Sequence, residues 1–430
     1  MKQAFLIADL QYGDAGKGSI VDFLSRQHPS ALIVRYNGGS QAAHNVVTPD
    51  GQHHTFAQFG SGMFVPGTRT HLSRFMLIDP LAMLNEGRHL PVDNPFTRTT
   101  VERGALIITP FQQISNQLKE EARGESRHGS CGMGVGETMS DSLQYGADVL
   151  RAGDLSDPII TRRKLRFIRD VKSLPIPDAD EIIDACVEMY QYFAGLITLV
   201  DEDYLPQQFK QTETIIFEGA QGVLLDEWYG FHPHTTWSNI TYENADSLLA
   251  GYDGQITRIG IMRGYATRHG AGPFMTEDAA LTRLIPDYHN GLNDWQGHFR
   301  VGYFDGVALK YALSVIGGVD YLAITNLDRL QAFDTRQFCT YYDYAPSDMA
   351  EAATSTFFDM EQGKISGIKM MPKPNLEHQA QLTEHLWHVS PVYQTVQPAD
   401  YVDVLEDWLG YRIGIVSAGL TANDKQYRTD

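Results

Sequence analysis

An apolar run, AFLIAD, ends near residue 9, and a Gly-Asp-Ala-Gly-Lys-Gly-Ser segment follows at residues 13–19. Glycine at this density cannot continue a strand, so the chain must turn there. Residues 2–9 predict a buried strand. SIVDFLSRQ at 19–27 predicts a helix, with Ile20, Val21, Phe23 and Leu24 on its apolar face, and ALIVRY at 31–36 predicts a second strand. Strand, glycine turn, helix, strand is the opening of an α/β sheet. Such a turn exposes backbone N–H groups at a helix N-terminus, and Lys17 adds a mobile cation, so the segment is a phosphate cradle. The usual GxxxxGK[ST] spacing is absent. Asp14 carries a further constraint. A carboxylate inside a phosphate loop is electrostatically costly unless it holds a metal or takes a proton.

The rest of the chain continues the α/β pattern. Residues 37–62 read as mostly loop. The four glycines of 128–136 exclude a stable helix or a regular strand there. EIIDACVEMYQYFAGLITLV at 181–200 reads as a long helix, TIIFEGAQG at 214–222 as a central strand and its exit, and TRIGIMRGYATR at 257–268 as another strand. DGVALKYALSVIGG at 305–318 reads as a helix stopped by glycine. YLAITNLDRL at 321–330, RQFCTYYDY and RIGIVSAGL read as strands, with a short polar stretch near EAATSTF. No repeat, heptad or long linker occurs. The expectation is one domain over 1–430, with insertions roughly at 85–210 and 331–400.

A net charge of −19 argues against a nonspecific nucleic-acid or anionic-membrane binder, though not against a nucleotide ligand. The three cysteines are widely spaced, which suggests neither a disulfide framework nor a thiolate zinc site. The N-terminal apolar run is too short for a signal peptide or a membrane span, so a cytoplasmic protein is expected.

Further candidate constellations lie along the chain. Asn37-Gly38-Gly39-Ser40-Gln41-Ala42-Ala43-His44-Asn45 crowds small and amide residues around a single histidine. Glu218-Gly219-Ala220-Gln221-Gly222 leaves a strand, and Gln221 offers both a donor and an acceptor. Thr325-Asn326-Leu327-Asp328 leaves another. An aspartate there could accept two hydrogen bonds from a guanine edge, although Asn and Asp also end strands simply because they make turns. His232, His234 and His269 do not share one face by spacing, and no zinc is assigned to them. Glu277-Asp278 reads as an exposed turn, and Glu181, Asp184 and Glu188 as a solvated helix face.

Taken in order, these fragments resemble the adenylosuccinate synthetase family from residue 6 to about 420. GDAGKGS at 13–19 is similar to the family's GDEGKGK, and GGSQAAHN at 38–45 to its GGNNAGHT. SCGMGVGE at 130–137 corresponds to TTGRGIGP. FEGAQGVLLD at 217–226 is intact, HTTWSN at 234–239 stands for FVTSSN, GYFD at 302–305 for GWFD, and TNLD at 325–328 for TKLD. The resemblance implies a large, mainly parallel central sheet with helices on both faces, small helical and β insertions, and a P-loop-NTPase-like adenylosuccinate synthetase fold. It implies a homodimer that uses GTP and Mg2+ to join an amino acid to a purine nucleotide. Asp14 matches the catalytic base and a magnesium ligand, with the Ala43 carbonyl as a second ligand. His44 matches the catalytic acid, and Lys17 balances phosphate charge. Gly13, Gly16, Gly18, Ser19, Asn45, Asn326, Asp328 and Gly419 fall on the GTP-binding motifs, with Asp328 as the guanine reader. Asn37, Ser130, Cys131, Gln221, Thr236, Arg268 and Arg300 fall on the acceptor and amino-acid site.

The departures cluster on the anion clamps. Met133 stands for an arginine and Cys131 for a threonine. In DWQGHFRVGYFD, Gly297 and Phe299 occupy arginine positions, and Arg300 remains with His298 nearby. Ala147 and Asp148 lie where the family reaches across its dimer with an arginine. AGLTA at 418–422 replaces VGPDR. A bidentate arginine contact to a buried charge is worth about 2–5 kcal/mol. Three readings follow: IMP, L-aspartate and GTP giving adenylosuccinate through a 6-phosphoryl intermediate; a diverged paralogue with another oxo acceptor or a less anionic amine; and a non-catalytic GTP-binding protein.

Overall fold

The computed structural model describes residues 1–124, 129–174, 176–286, 297–331, 333–344 and 355–428. His128, the 294–296 start of DWQGHFRVGYFD and the start of EAATSTF lie outside them. A ten-stranded sheet runs in the order Lys425–Tyr427, Ile413–Ser417, Tyr321–Thr325, Gln255–Arg263, Gln3–Asp9, Thr214–Glu218, Leu32–Arg35, Arg69–Leu72, Thr99–Glu102, Thr198–Val200. Gln255–Arg263, Tyr321–Thr325 and Ile413–Ser417 pair parallel, as do the five strands from Thr214–Glu218 to Thr198–Val200, while at the first edge Ile413–Ser417 meets Lys425–Tyr427 antiparallel. The cause is legible in the strands themselves. TIIFE and LIVR are buried at every position, as a strand covered on both faces must be. The expected large, mainly parallel sheet with helical and small β additions is present.

Compactness divides the chain into two units, one made of Met1–Leu6, Lys17–Ala220 and Tyr242–Thr257, the other of Ile7–Gly16, Gln221–Thr241 and Arg258–Asp430. In the first, the helices Pro110–Arg123, Val135–Tyr145, Pro158–Lys172 and Ala179–Leu196 follow the strands. Ile183, Val187, Tyr190 and Phe193 of the last helix pack into one apolar core with Val101, Ile107 and Phe111. Glu181, Asp184 and Glu188 lie on its exposed face, as their spacing predicts. That helix ends at Leu196, and residues 198–200 turn into the edge strand rather than prolonging it. In the second unit, Arg336–Tyr344 anchors a smaller sheet with Phe304–Asp305, Phe358–Glu361, Lys364–Ile368 and Val389–Val396.

Three local readings change. Within 37–62, His44–Val47 and His53–Phe56 form an antiparallel hairpin, because alternate side chains there are buried. The glycine-dense stretch gives way to helix at Val135, immediately after a left-handed Gly134. The segment 257–268 is two strands, because Ala266–Arg268 leaves the large sheet to pair antiparallel with Arg300–Gly302.

His71 sits in the first unit's sheet at 1% exposure. Its Nδ1 is 3.0 Å from Thr100 Oγ1, Glu102 lies 4.0 Å from Nε2, and Tyr204 packs on the ring. Burial, then the nearby Arg74 charge, push its pKa down to about 3. A histidine held neutral this way stabilises the fold fully above its unfolded value of about 6.5, and that contribution is lost as pH falls toward the folded value. Between pH 7 and pH 5 the loss amounts to about 2 kcal/mol. Urea unfolding should therefore show His71→Gln less sensitive to acid over this interval by that amount. An unchanged pH slope would reject His71 as a source of acid lability.

Candidate functional site

The cradle after Gln3–Asp9 is shaped by a residue that sequence reasoning did not single out. Asp9 is fully buried, and its two carboxylate oxygens accept from Gln11 N and Ala15 N, each at 2.9 Å. One side chain thus ties both ends of a five-residue turn, a pattern visible in sequence only as an aspartate at a strand end. Asp14 is held at φ 58°, a left-handed backbone that a non-glycine residue adopts at a cost of about 1–3 kcal/mol. Arg263 Nε donates to the Asp14 carbonyl at 2.6 Å, and Thr325 Oγ1 donates to the Ala15 carbonyl at 2.7 Å. The Asp14 carboxylate stays partly exposed, with His269 Nε2 3.9 Å away. Gly13 and Gly16 also have positive φ. A Cβ on Gly222 would lie 2.2 Å from Gln11 O and 2.3 Å from Gly13 N, so only glycine fits against this turn.

In the other unit, Lys17 and Gly18 open the helix Lys17–Gln27 and are buried, with Ser19 partly exposed. A Cβ on Gly18 would meet His44 Cβ at 2.7 Å, so the glycine is what admits the histidine. Glu218, at the end of its strand, is fully buried and pairs in register with Arg35. His44 Nδ1 lies 2.6 Å from Glu218 Oε1, Ser61 N donates to Oε2 at 3.0 Å, and Ser61 Oγ donates to Oε1. Burial alone would raise the Glu218 carboxyl. Arg35, then His44 and Ser61, outweigh it and hold the group at about 2. The carboxylate is therefore charged, and His44 donates to it through Nδ1–H, which leaves Nε2 as the ring's other functional atom. Burial pushes His44 below its ordinary value. Glu218 opposes this, and Arg35 and Lys17 reinforce it. Asn37 Oδ1 accepts from Ala220 N at 2.7 Å, fixing the strand exit beside Glu218. Ala43 is exposed. The Asn45 side-chain oxygen is occupied across the hairpin by Thr55 Oγ1 at 2.7 Å and His53 Nε2 at 3.1 Å. Ser130 and Cys131 lie in a separate segment of the same unit, pinned by Asn116, whose Oδ1 accepts from Ser130 Oγ at 3.0 Å and Gly134 N at 3.1 Å. Burial pushes the Cys131 thiol up, which removes thiolate character.

The remaining predicted residues belong to the second unit. Gln221 at φ 55° and Asn326 at φ 56° repeat the left-handed conformation of Asp14. Asn326 Nδ2 donates to Thr325 Oγ1 at 3.0 Å, and Asp328 sits half-buried in the turn Leu327–Leu330. Thr236 N donates to Leu225 O at 2.9 Å, and Gly419 lies against Asp424. Arg268 is 1% exposed. It donates to Pro273 O at 2.5 Å and His234 O at 3.3 Å, and its guanidinium stands 4.3 Å above the Tyr12 ring. Arg300 donates to Glu277 at 2.7 Å and to the carbonyls of Gly270 at 2.6 Å and Gly272 at 3.2 Å. Both arginines thus brace the loop 269–273. Phe299 is buried with its ring 4.7 Å from His269, so an aromatic contact fills an expected arginine position. His298 and Asp148 are exposed.

Glu218 carries the charge that compensates Arg35. A carboxyl depressed in the native state stabilises it fully above the ordinary value of 4.5, and that stability is lost as pH falls toward about 2. Glu218→Gln removes the ionised carboxylate that Arg35, His44 and Ser61 hold at about 2 and should cost about 3 kcal/mol at pH 7, measured by urea unfolding. A cost below about 1 kcal/mol would reject that electrostatic stabilisation.

A family model described as adenylosuccinate synthetase matches residues 6–425. The chain is 33% identical over 362 residues to the adenylosuccinate synthetase of Saccharopolyspora erythraea, covering 79% of this chain and 81% of the relative. It is 30% identical over 441 residues to that of Pelodictyon phaeoclathratiforme, covering 99% and 98%. Among solved structures, a fully ligated adenylosuccinate synthetase from Plasmodium falciparum superposes with a TM-score of 0.82 at 18% identity, covering 99% of both chains. A cyanophage S-2L succinoaminodeoxyadenylate synthetase, bound to dGMP and dATP as an energy donor, reaches 0.63 at 18% identity, covering 100% of this chain and 96% of that one. At that identity the two structures establish the fold, and the sequence matches establish the kinship: this chain is a member of the adenylosuccinate synthetase family.

Proposed function

We propose that this ligase of purine biosynthesis uses GTP to phosphorylate the 6-oxygen of a purine nucleotide and then joins an amino acid at that carbon, with IMP and L-aspartate giving adenylosuccinate, GDP and phosphate. The observation that carries this reading is the His44–Glu218 pair, a buried imidazole oriented through Nδ1 by an ionised carboxylate. In this scheme Asp14 takes the N1 proton, and the 6-oxygen forms its bond to the γ-phosphorus as GDP leaves. The backbone N–H groups of the cradle and Lys17 stabilise the charge on the transferring group. His44 Nε2 faces that group. Phosphate charge favours the imidazolium and offsets the burial that keeps the free histidine neutral. The amine then attacks C6, phosphate departs with the C6–oxygen electron pair, and the amine loses its proton.

Mg2+ is the metal of this proposal, with the Asp14 carboxylate and the Ala43 carbonyl as its protein oxygens. Among the described residues no group of three or more His, Cys, Asp or Glu forms a metal cage. That donor set suits magnesium, which keeps waters and phosphate oxygens and needs only one or two protein oxygens. When bound it would neutralise phosphate charge. Asp328 reads guanine through N1–H and the 2-amino group. A cytoplasmic homodimer completes the reading, and no described helix is long and apolar enough to cross a membrane.

A second reading has its own observation. Gly297 and Phe299 replace arginines, while Arg268 and Arg300 donate to backbone carbonyls, an arrangement that favours a less anionic amine or a different oxo acceptor. The cyanophage synthetase, solved with dGMP and dATP, is a relative in fold with another nucleotide pair.

The test is phosphate release from GTP and Mg2+ with IMP, then with IMP plus aspartate, with product mass read from the same tubes. Aspartate-dependent release together with adenylosuccinate is expected. GTP binding without turnover on this pair would overturn the standard substrates and leave the second reading. Asp14→Asn should reduce acceptor-dependent turnover at least about 100-fold while GTP affinity stays within about tenfold. An unaffected rate would remove Asp14 as the base.

A further inference from the structure

Within the second unit lies a cavity of about 260 Å³ that none of the assignments above uses. Its wall is aromatic, with Tyr265, Tyr303, Phe333 and Tyr401 lining it, and Leu281 adds aliphatic surface. Arg336 reaches the same space at only 9% exposure. This arginine donates to the Phe333 carbonyl at 2.5 Å. Among the described residues no carboxylate lies within ion-pair distance of it. Asp334 stands at the rim, where it is exposed and water screens it. A buried guanidinium beside a carbonyl but without a counter-charge is costly, and burial lowers its pKa accordingly. One N–H is spent on the Phe333 carbonyl, and the remaining donors of the rigid fork, beside an aromatic-walled space, match a planar carboxylate on an aromatic ring. At about 25–30 Å³ per non-hydrogen atom, the space holds about ten such atoms, one substituted ring.

The cavity also touches the candidate site's framework. Tyr401 OH donates to the Gly264 carbonyl at 2.8 Å, and Gly264 N donates to Thr325 O at 2.9 Å. Leu330, on the wall, closes the turn Leu327–Leu330 that carries Asp328. We propose that this cavity is a second ligand site, which takes a small planar aromatic acid with its carboxylate on Arg336 and its ring among the tyrosines, and that its occupancy steadies the Asp328 turn.

The experiment is calorimetric titration of the full chain with 4-hydroxybenzoate and with its neutral counterpart, 4-hydroxybenzamide, each with and without saturating GTP. The acid should bind at least about tenfold more tightly than the amide, both with and without GTP. Arg336→Gln should erase that preference, and Arg336→Lys should keep part of it, with melting temperatures showing that both variants fold. Equal binding of acid and amide, no binding up to about 10 mM, or complete displacement by GTP overturns the site. So does a preference that survives in a folded Arg336→Gln variant. The wild-type comparison decides the matter even if a variant fails to fold.

Discussion

A buried negative charge at the end of one central strand organises half of the candidate site. Glu218 pairs in register with Arg35 on the neighbouring parallel strand, and both are fully buried. Neither charge is tolerable there alone. The carboxylate's own hydrogen bonds go to His44 and Ser61, while Arg35 donates to the Ala57 and Phe59 carbonyls and acts on Glu218 through charge alone. The hairpin that carries His44 is therefore tied to the sheet by the same group that sets the imidazole's tautomer. Gly18 completes the arrangement by leaving room for the histidine against the first helix.

Three strained residues of the candidate site stand where strands end. Asp14, Gln221 and Asn326 are non-glycine residues in the left-handed region, and each follows the carboxyl end of a strand of the large sheet. Ligands of open α/β sheets bind outside those ends. Backbone strain persists only where the surroundings over-determine it. For Asp14 the surroundings are visible: the Asp9 carboxylate grips the turn, and Arg263 and Thr325 hold its carbonyls.

The arginines divide by task. Arg35 balances a buried charge, Arg263 holds the cradle, and Arg268 and Arg300 brace the loop 269–273 through its carbonyls. A guanidinium engaged with backbone oxygens has fewer donors left for a substrate carboxylate. Counting arginines along the chain therefore overstates the number that can act as clamps. Phe299 against His269 shows the complementary change, in which aromatic packing occupies a position where charge was expected.

The large α/β sheet was legible in the sequence because its central strands are short, mostly apolar and followed by glycine, whereas strands nearer the edge such as RTHL and TTVE carry no such signal. The family was legible because its motifs lie at strand exits, where local chemistry fixes residue identity. The cradle, Gln221 and Asp328 stood out for that reason, and His44 because small and amide residues crowd around it. Asp9 and Ser61 were not, because an aspartate at a strand end and a serine in a loop look like ordinary turn formers until their partners are known. Glu218 was read only as part of a motif, since its role depends on Arg35, a residue far away in sequence. The hairpin at 44–56 was hidden by its glycine-rich surroundings, although its alternating burial is plain once the partner strand is placed. Residue type sets what a side chain can donate, accept or carry, and that much the sequence determined. Which atoms those capacities are spent on depends on neighbours brought together by folding, and so the tautomer of His44, the charge of Glu218 and the engagement of Arg268 and Arg300 were decided only by the tertiary structure.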